Sequence, residues 1–133
     1  MLVLQITIRM KSLLTIIITL SSALGFCQEA EFFFKQKSYK FPKTKEGQHL
    51  SHYFVFTNTG NAPLKINSYV VECHCTELIF PPYEIQPGKT DSVLLKFDTN
   101  GKYFAQDRNV IISSNAKKKE TILRFKVFVE PTE

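Results

Sequence analysis

The chain has no tryptophan, three cysteines and five glycines among its 133 residues. Without Trp there is no Cys…Trp…Cys core of the antibody-domain kind. Three cysteines are too few for a disulfide scaffold. The length admits one domain. It excludes a barrel enzyme or a dinucleotide-binding α/β fold of ordinary size. The sequence contains no Gly-rich phosphate loop, no HExxH and no Gly-x-Ser-x-Gly, so the corresponding nucleotide, zinc and hydrolase chemistries have no motif to rest on. Internal repeats, linkers and helical periods of useful length are missing too. What is present is a 44% hydrophobic composition with 22% charged residues and 12 Phe, which is not that of a disordered chain.

The first segment reads as a secretory signal. Lys11 precedes an apolar or hydroxylic run, Ser12 to Leu20, and small residues follow in Ser21-Ser22-Ala23-Leu24-Gly25-Phe26-Cys27. A charged start, a short apolar centre and small side chains near a cleavage point are its three parts. The run is too short to span a bilayer, which takes roughly 20 apolar residues. Met10-Lys11 suits the natural start of such a signal, so residues 1–9 are read either as an over-called start or as a genuine extension. Gly25 and Cys27 fit cleavage before Gln28. The competing expectation makes Cys27 the lipidated first residue of a lipoprotein; Leu24 suits that pattern and bulky Phe26 does not. An uncleaved anchor is the third alternative.

Cleavage there leaves residues 28–133 as a single domain with no transmembrane segment. Arg9 and Lys11 depart with the leader, leaving 15 basic against 12 acidic residues, or +3. That charge is too mild for a nucleic-acid binder. Cys73 and Cys75 remain, in an oxidising compartment.

Hydrophobic alternation predicts strands. Leu50, Phe54 and Phe56 share one face of 49–57, and Asn58 to Asn61 ends the run with turn chemistry. Residues 64–71 form a second alternating strand. Pro81-Pro82 interrupts 79–85, which is therefore an edge segment or loop. Pro87-Gly88 is a type II turn. Val93, Leu95 and Phe97 face inward from 92–97, Val110 and Ile112 from 109–113, and Leu123, Phe125, Val127 and Val129 from 121–129. Residues 32–34 and 38–41 supply one split strand at the start. About seven short strands, punctuated roughly every ten residues, predict an all-β, immunoglobulin-like antiparallel β-sandwich.

Several phrases occur in order: Phe54-Val55-Phe56-Thr57-Asn58-Thr59-Gly60, Ala62-Pro63-Leu64-Lys65-Ile66, Cys73-His74-Cys75-Thr76, Ile85-Gln86-Pro87-Gly88, Phe97-Asp98-Thr99 and Ser114-Asn115. Together they resemble the bacterial domain-of-unknown-function family 1573, over about residues 31–130. The resemblance implies a small exported immunoglobulin-like module of the Bacteroidetes type, with no established catalytic activity and no cofactor. The family usually carries Cys-Gly-Cys-Thr, and here His74 takes the middle position. Asn58 and Gly60 are expected to adopt the left-handed conformation of a tight turn.

Cys73 and Cys75 are the main chemical candidates. In an extended strand, residues two apart lie about 6.6–7 Å apart at Cα, too far for a relaxed disulfide. The pair closes only if the chain turns. One reading is a local disulfide or fold-defining turn without chemistry. A second is a redox-active thiol pair. A third is a soft-metal site of Cys73, His74 and Cys75; His49 and His52 lie on another strand, and the sequence alone does not bring them to it. Asp91, Asp98 and Asp107 read as turn or surface carboxylates, and Lys117-Lys118-Lys119 as a solvated hairpin tip.

The leading expectation is a non-enzymatic, exported module, periplasmic or secreted, acting through protein–protein or cell-envelope contacts. The alternative is a periplasmic thiol-redox or soft-metal-binding protein centred on Cys73-His74-Cys75.

Overall fold

The computed structural model describes Gln5 and residues 27–132; the expected leader, apart from Gln5 and its end at Cys27, lies outside the described residues. Nine strands follow one another: β1 (Phe32–Phe34), β2 (Ser38–Lys40), β3 (Thr44–Lys45), β4 (His49–Asn58), β5 (Ile66–Val71), β6 (Thr76–Ile79), β7 (Thr90–Asp98), β8 (Phe104–Ser114) and β9 (Glu120–Glu130). They form two sheets. One has the order β1-β4-β7-β6 and the other β2-β9-β8-β5, with β3 also pairing β9. No helix among the described residues is long and apolar enough to cross a membrane.

Period-two alternation builds the interior, because a strand turns successive side chains to opposite faces. Phe54 and Phe56 of β4, and Val93, Leu95 and Phe97 of β7, are fully buried. They meet Val110 and Ile112 of β8 and the unbroken series Leu123, Phe125, Val127 and Val129 of β9. Phe97 and Phe125 join the two sheets, their ring centroids 5.0 Å apart.

The start of the domain departs from the expectation of one split, antiparallel strand. β1 pairs β4 antiparallel, whereas β2 and β3 pair β9 in parallel. The sandwich is therefore mixed. The physical reason is that Phe34 and Phe41 are both buried, and the Lys35-Gln36-Lys37 corner lets the chain change sheets between them.

β5 begins at Ile66, and Leu64 instead makes an isolated bridge to Ile85. A register shift between Ile66 and Ser68 moves the inward set from Leu64 and Ile66 to Tyr69 and Val71, the expected effect of one extra residue in a strand. β6 is an edge strand that ends just before Phe80-Pro81-Pro82.

The turn residues meet expectation at one place and depart from it at another. Gly88 has φ +77°, and Lys89 N–H donates to Gln86 C=O at 3.0 Å, so Gln86–Lys89 is the expected type II turn. Asn58 and Gly60, by contrast, do not have positive φ; Phe104 is the one non-glycine among the described residues that does. Gly60 is required for space instead. A Cβ there would fall on the backbone of Glu29 to Glu31. Asn58 is fully buried and acts as a bracket. Its Nδ2 donates to Ala62 and Ile85 carbonyls at 2.8 and 2.9 Å, and its Oδ1 accepts from Gly60 and Glu31 N–H at 3.0 and 3.3 Å.

Candidate functional site

The link from β5 to β6 carries the chain from one sheet to the other at one end of the sandwich, and it contains Cys73, His74 and Cys75. The chain turns there: Thr76 N–H donates to Cys73 C=O at 3.1 Å. The turn brings the Cys73 and Cys75 Cα atoms to 5.2 Å, and a disulfide joins them. His74 sits in the turn without positive φ, so its backbone makes no demand for the glycine usual at that position.

Both flanks of the turn are tied to the sheets. On the β5 side, Glu72 faces Arg108 of β8, Nη1 to Oε2 3.5 Å, and accepts the Asn109 N–H at 3.1 Å. On the β6 side, Asp98 N–H of β7 donates to Cys75 C=O at 2.8 Å. Thr76 is buried beneath the turn. Its Oγ1 lies 3.7 Å from Cys73 Sγ and 3.9 Å from Cys75 Sγ.

Beside the turn opens a cleft of about 470 Å³, lined by Cys75 and His74 together with His49, Ser51, Glu77, Lys96 and Asp98. Register produces this cluster. His49 stands opposite Asp98, and Ser51, Lys96 and Glu77 form one row across β4, β7 and β6. Lys96 Nζ lies 3.8 Å from Glu77, and His49 Nδ1 lies 3.9 Å from Asp98. These are solvent-exposed contacts, worth little in stability.

The sequence candidates are thus only partly assembled. His49 and His74 line one cleft. His52 points into the sandwich, where its ring stacks on Tyr39. The sulfurs of the soft-metal set are bonded to each other, and among the described residues no three His, Cys, Asp or Glu side chains are placed to hold a metal ion. Lys117 to Lys119 are exposed in the turn between β8 and β9, as expected of a solvated hairpin tip; Lys117 Nζ also lies 3.3 Å from Glu29 Oε2, and its N–H donates to Ala30 C=O. Asp107 takes a bidentate pair from Arg124, with Lys126 alongside. These contacts hold its carboxyl down at about 2.

Sequence reasoning did not single out the outer face of the β1-β4-β7-β6 sheet. Tyr53, Leu94 and Ile79 occupy one row across β4, β7 and β6. Val55 and Phe33 continue the apolar surface towards β1, and Tyr53, Ile79, Val55 and Phe33 are all exposed. Alternation places Tyr53 and Val55 outward, but only cross-strand register puts them beside Leu94 and Ile79.

Comparison with known proteins matches residues 32–129 to the family described as "Protein of unknown function (DUF1573)". No curated protein matches the chain. Among solved structures, a protein of unknown function from Porphyromonas gingivalis W83 superposes with a TM-score of 0.67 at 15% identity, over 80% of this chain and 50% of that one. The chain therefore spans half the length of that protein. The ASH/PapD-like domain 7 of human CEP192 superposes with a TM-score of 0.54 at 12% identity, over 84% of this chain and 92% of that one. The Escherichia coli chaperone DraB gives 0.50 at 11% identity, over 77% and 56%. At these identities the likeness is one of fold.

Proposed function

Starting from a chain that belongs to the DUF1573 family, we propose that it is an exported, non-enzymatic immunoglobulin-like module that works by binding another protein or a cell-envelope component. The observation that carries this reading is the outer row Tyr53–Leu94–Ile79, extended by Val55 and Phe33. Contiguous exposed apolar surface on a soluble domain marks an interaction face. A Tyr at its centre supplies contact area with few rotamers to freeze. The row lies on paired strands, so it offers a pre-formed surface.

The test is capture of partners from envelopes of the producing bacterium, with the unaltered domain and with Tyr53→Ser and Ile79→Ser variants compared side by side. The reading expects one partner retained by the unaltered domain and lost by both variants, with thermal melts unchanged. Equal recovery with all three proteins would place binding elsewhere. Export has its own test. Intact mass of the protein recovered from the cell should correspond to a start at Gln28, whereas acyl mass on Cys27 would indicate a lipid anchor.

A further inference from the structure

The Cys73–Cys75 bond is poorly suited to stabilising the fold. It closes a very small loop, and the stabilisation from restricting the unfolded chain grows with loop length. The corner it spans is already held by other contacts. Thr76 N–H bonds Cys73 C=O, Asp98 N–H bonds Cys75 C=O, and Arg108 faces Glu72. Opening the disulfide would leave all three in place. Cys73 and Cys75 are only half-buried and His74 is exposed, and Cys75 lines the 470 Å³ cleft. A small thiol can reach the bond from solvent without unfolding the domain.

The group beneath the sulfurs makes the bond more than accessible. Exchange needs a thiolate to leave, and its departure is easier when its charge is stabilised. Thr76 offers one hydroxyl to both sulfurs, at 3.7 and 3.9 Å, from a buried position where water competes poorly. Hydrogen bonds to a charged acceptor are stronger than those between neutral groups. We propose that Cys73–Cys75 is a thiol–disulfide exchange site for low-molecular-weight thiols, in which Thr76 holds the departing sulfur. This goes beyond the contact reading and is independent of it.

The exchange balances as follows. A thiolate R–S⁻ entering through the cleft attacks Cys75 Sγ. A bond forms between R–S and Cys75, the Cys73–Cys75 bond breaks, and Cys73 leaves as a thiolate that accepts the Thr76 hydroxyl. A second thiolate attacks the R sulfur of the mixed disulfide, forming R–S–S–R and releasing Cys75. Two thiols are oxidised and the protein disulfide takes up two electrons. The two protons lost by the thiols are regained by Cys73 and Cys75, since free cysteine is mostly protonated at neutral pH.

The experiment incubates the folded, oxidised protein with reduced glutathione and, separately, with dithiothreitol, traps thiols by alkylation and reads the peptide carrying both cysteines by mass. Circular dichroism follows the fold in parallel. The site should open while the fold persists. Thr76→Val should slow opening about tenfold, the size of one charge-assisted hydrogen bond, and Thr76→Ser should restore it. A bond that opens only when denaturant unfolds the domain overturns the proposal, as do equal rates for the Val, Ser and unaltered proteins. If Val at position 76 loosens the fold, native-state reduction of the unaltered protein still decides the question.

Discussion

Tyr39 of β2 and His52 of β4 lie face to face across the two sheets, with ring centroids 3.5 Å apart and planes within 8°. Phe41 and Phe54 meet the same imidazole edge-on. Burial among these rings pushes the His52 pKa below its ordinary 6.5, because a charged imidazole is costly to remove from water. The unfolded chain therefore takes the proton at a higher pH than the folded one. Stability should rise with pH through the region around 6.5 and fall as the pH drops below it, levelling off beneath the folded value. Urea melts from about pH 8 to about pH 5 should show this slope in the unaltered protein and a flatter one in His52→Phe. The same slope in both would assign the effect to another group.

The Asn58 bracket predicts a sharp dependence on one side chain. Asn58→Ala would strand the Ala62 carbonyl and the Gly60 and Glu31 N–H groups, at about 1–3 kcal/mol for each that stays buried and unpaired, while the Ile85 carbonyl keeps the Leu64 N–H. A loss of about 3–5 kcal/mol in denaturant melts is expected, against about 5–15 kcal/mol for a whole domain. Gly60→Ala should also destabilise, through the displaced Glu29 to Glu31 segment. A Gly60→Ala protein as stable as the original would mean that this segment moves aside freely.

Along β4 the two faces should respond unequally. Phe54 and Phe56 are each 1% exposed, whereas Tyr53 is 61% exposed. Replacing either Phe with Ala should cost about 3–5 kcal/mol, and replacing Tyr53 or Val55 should cost much less. The comparison needs four melts. Equal losses on both faces would contradict the outward placement of Tyr53.

Much of this was legible in the amino-acid order. The inward series of β4, β7 and β9 alternates cleanly in the sequence and is buried as that alternation implies. The first half of β8 was not legible, because Phe104 to Asn109 carries no apolar alternation. It extends as a strand through its pairing with β9, where Asp107 stands opposite Lys126 and Asn109 opposite Arg124. The phase change in β5 and the sheet change between Phe34 and Ser38 depend on partners distant in sequence, and local pattern does not carry them. At the candidate site, Cys73-His74-Cys75 stands out by composition, but Thr76 beneath the sulfurs and the row Ser51–Lys96–Glu77 emerge only from register.

Changing Cys73 and Cys75 together to Ser should lower stability by no more than about 2 kcal/mol, in keeping with the very small loop that their bond closes. The core of Phe, Leu, Ile and Val does not include the sulfurs, so the variant should fold. Thermal and urea melts measure the loss. Failure of the variant to fold would mean that the bond holds the two sheets in register.

β9 is the last of the nine strands among the described residues, yet it lies inside its sheet, between β8 and the pair β2 and β3. Until Glu120–Glu130 has been synthesised, those three strands lack their common neighbour, and β2 and β3 lack the one partner they have. Synthesis at about 5–20 residues per second therefore exposes an unfinished sheet for seconds, during which half of the sandwich has nothing to close against. That delay keeps the sheet open until its last strand arrives. The cost is sensitivity to truncation: loss of the last strand should release the product to proteolysis rather than leave a smaller stable domain.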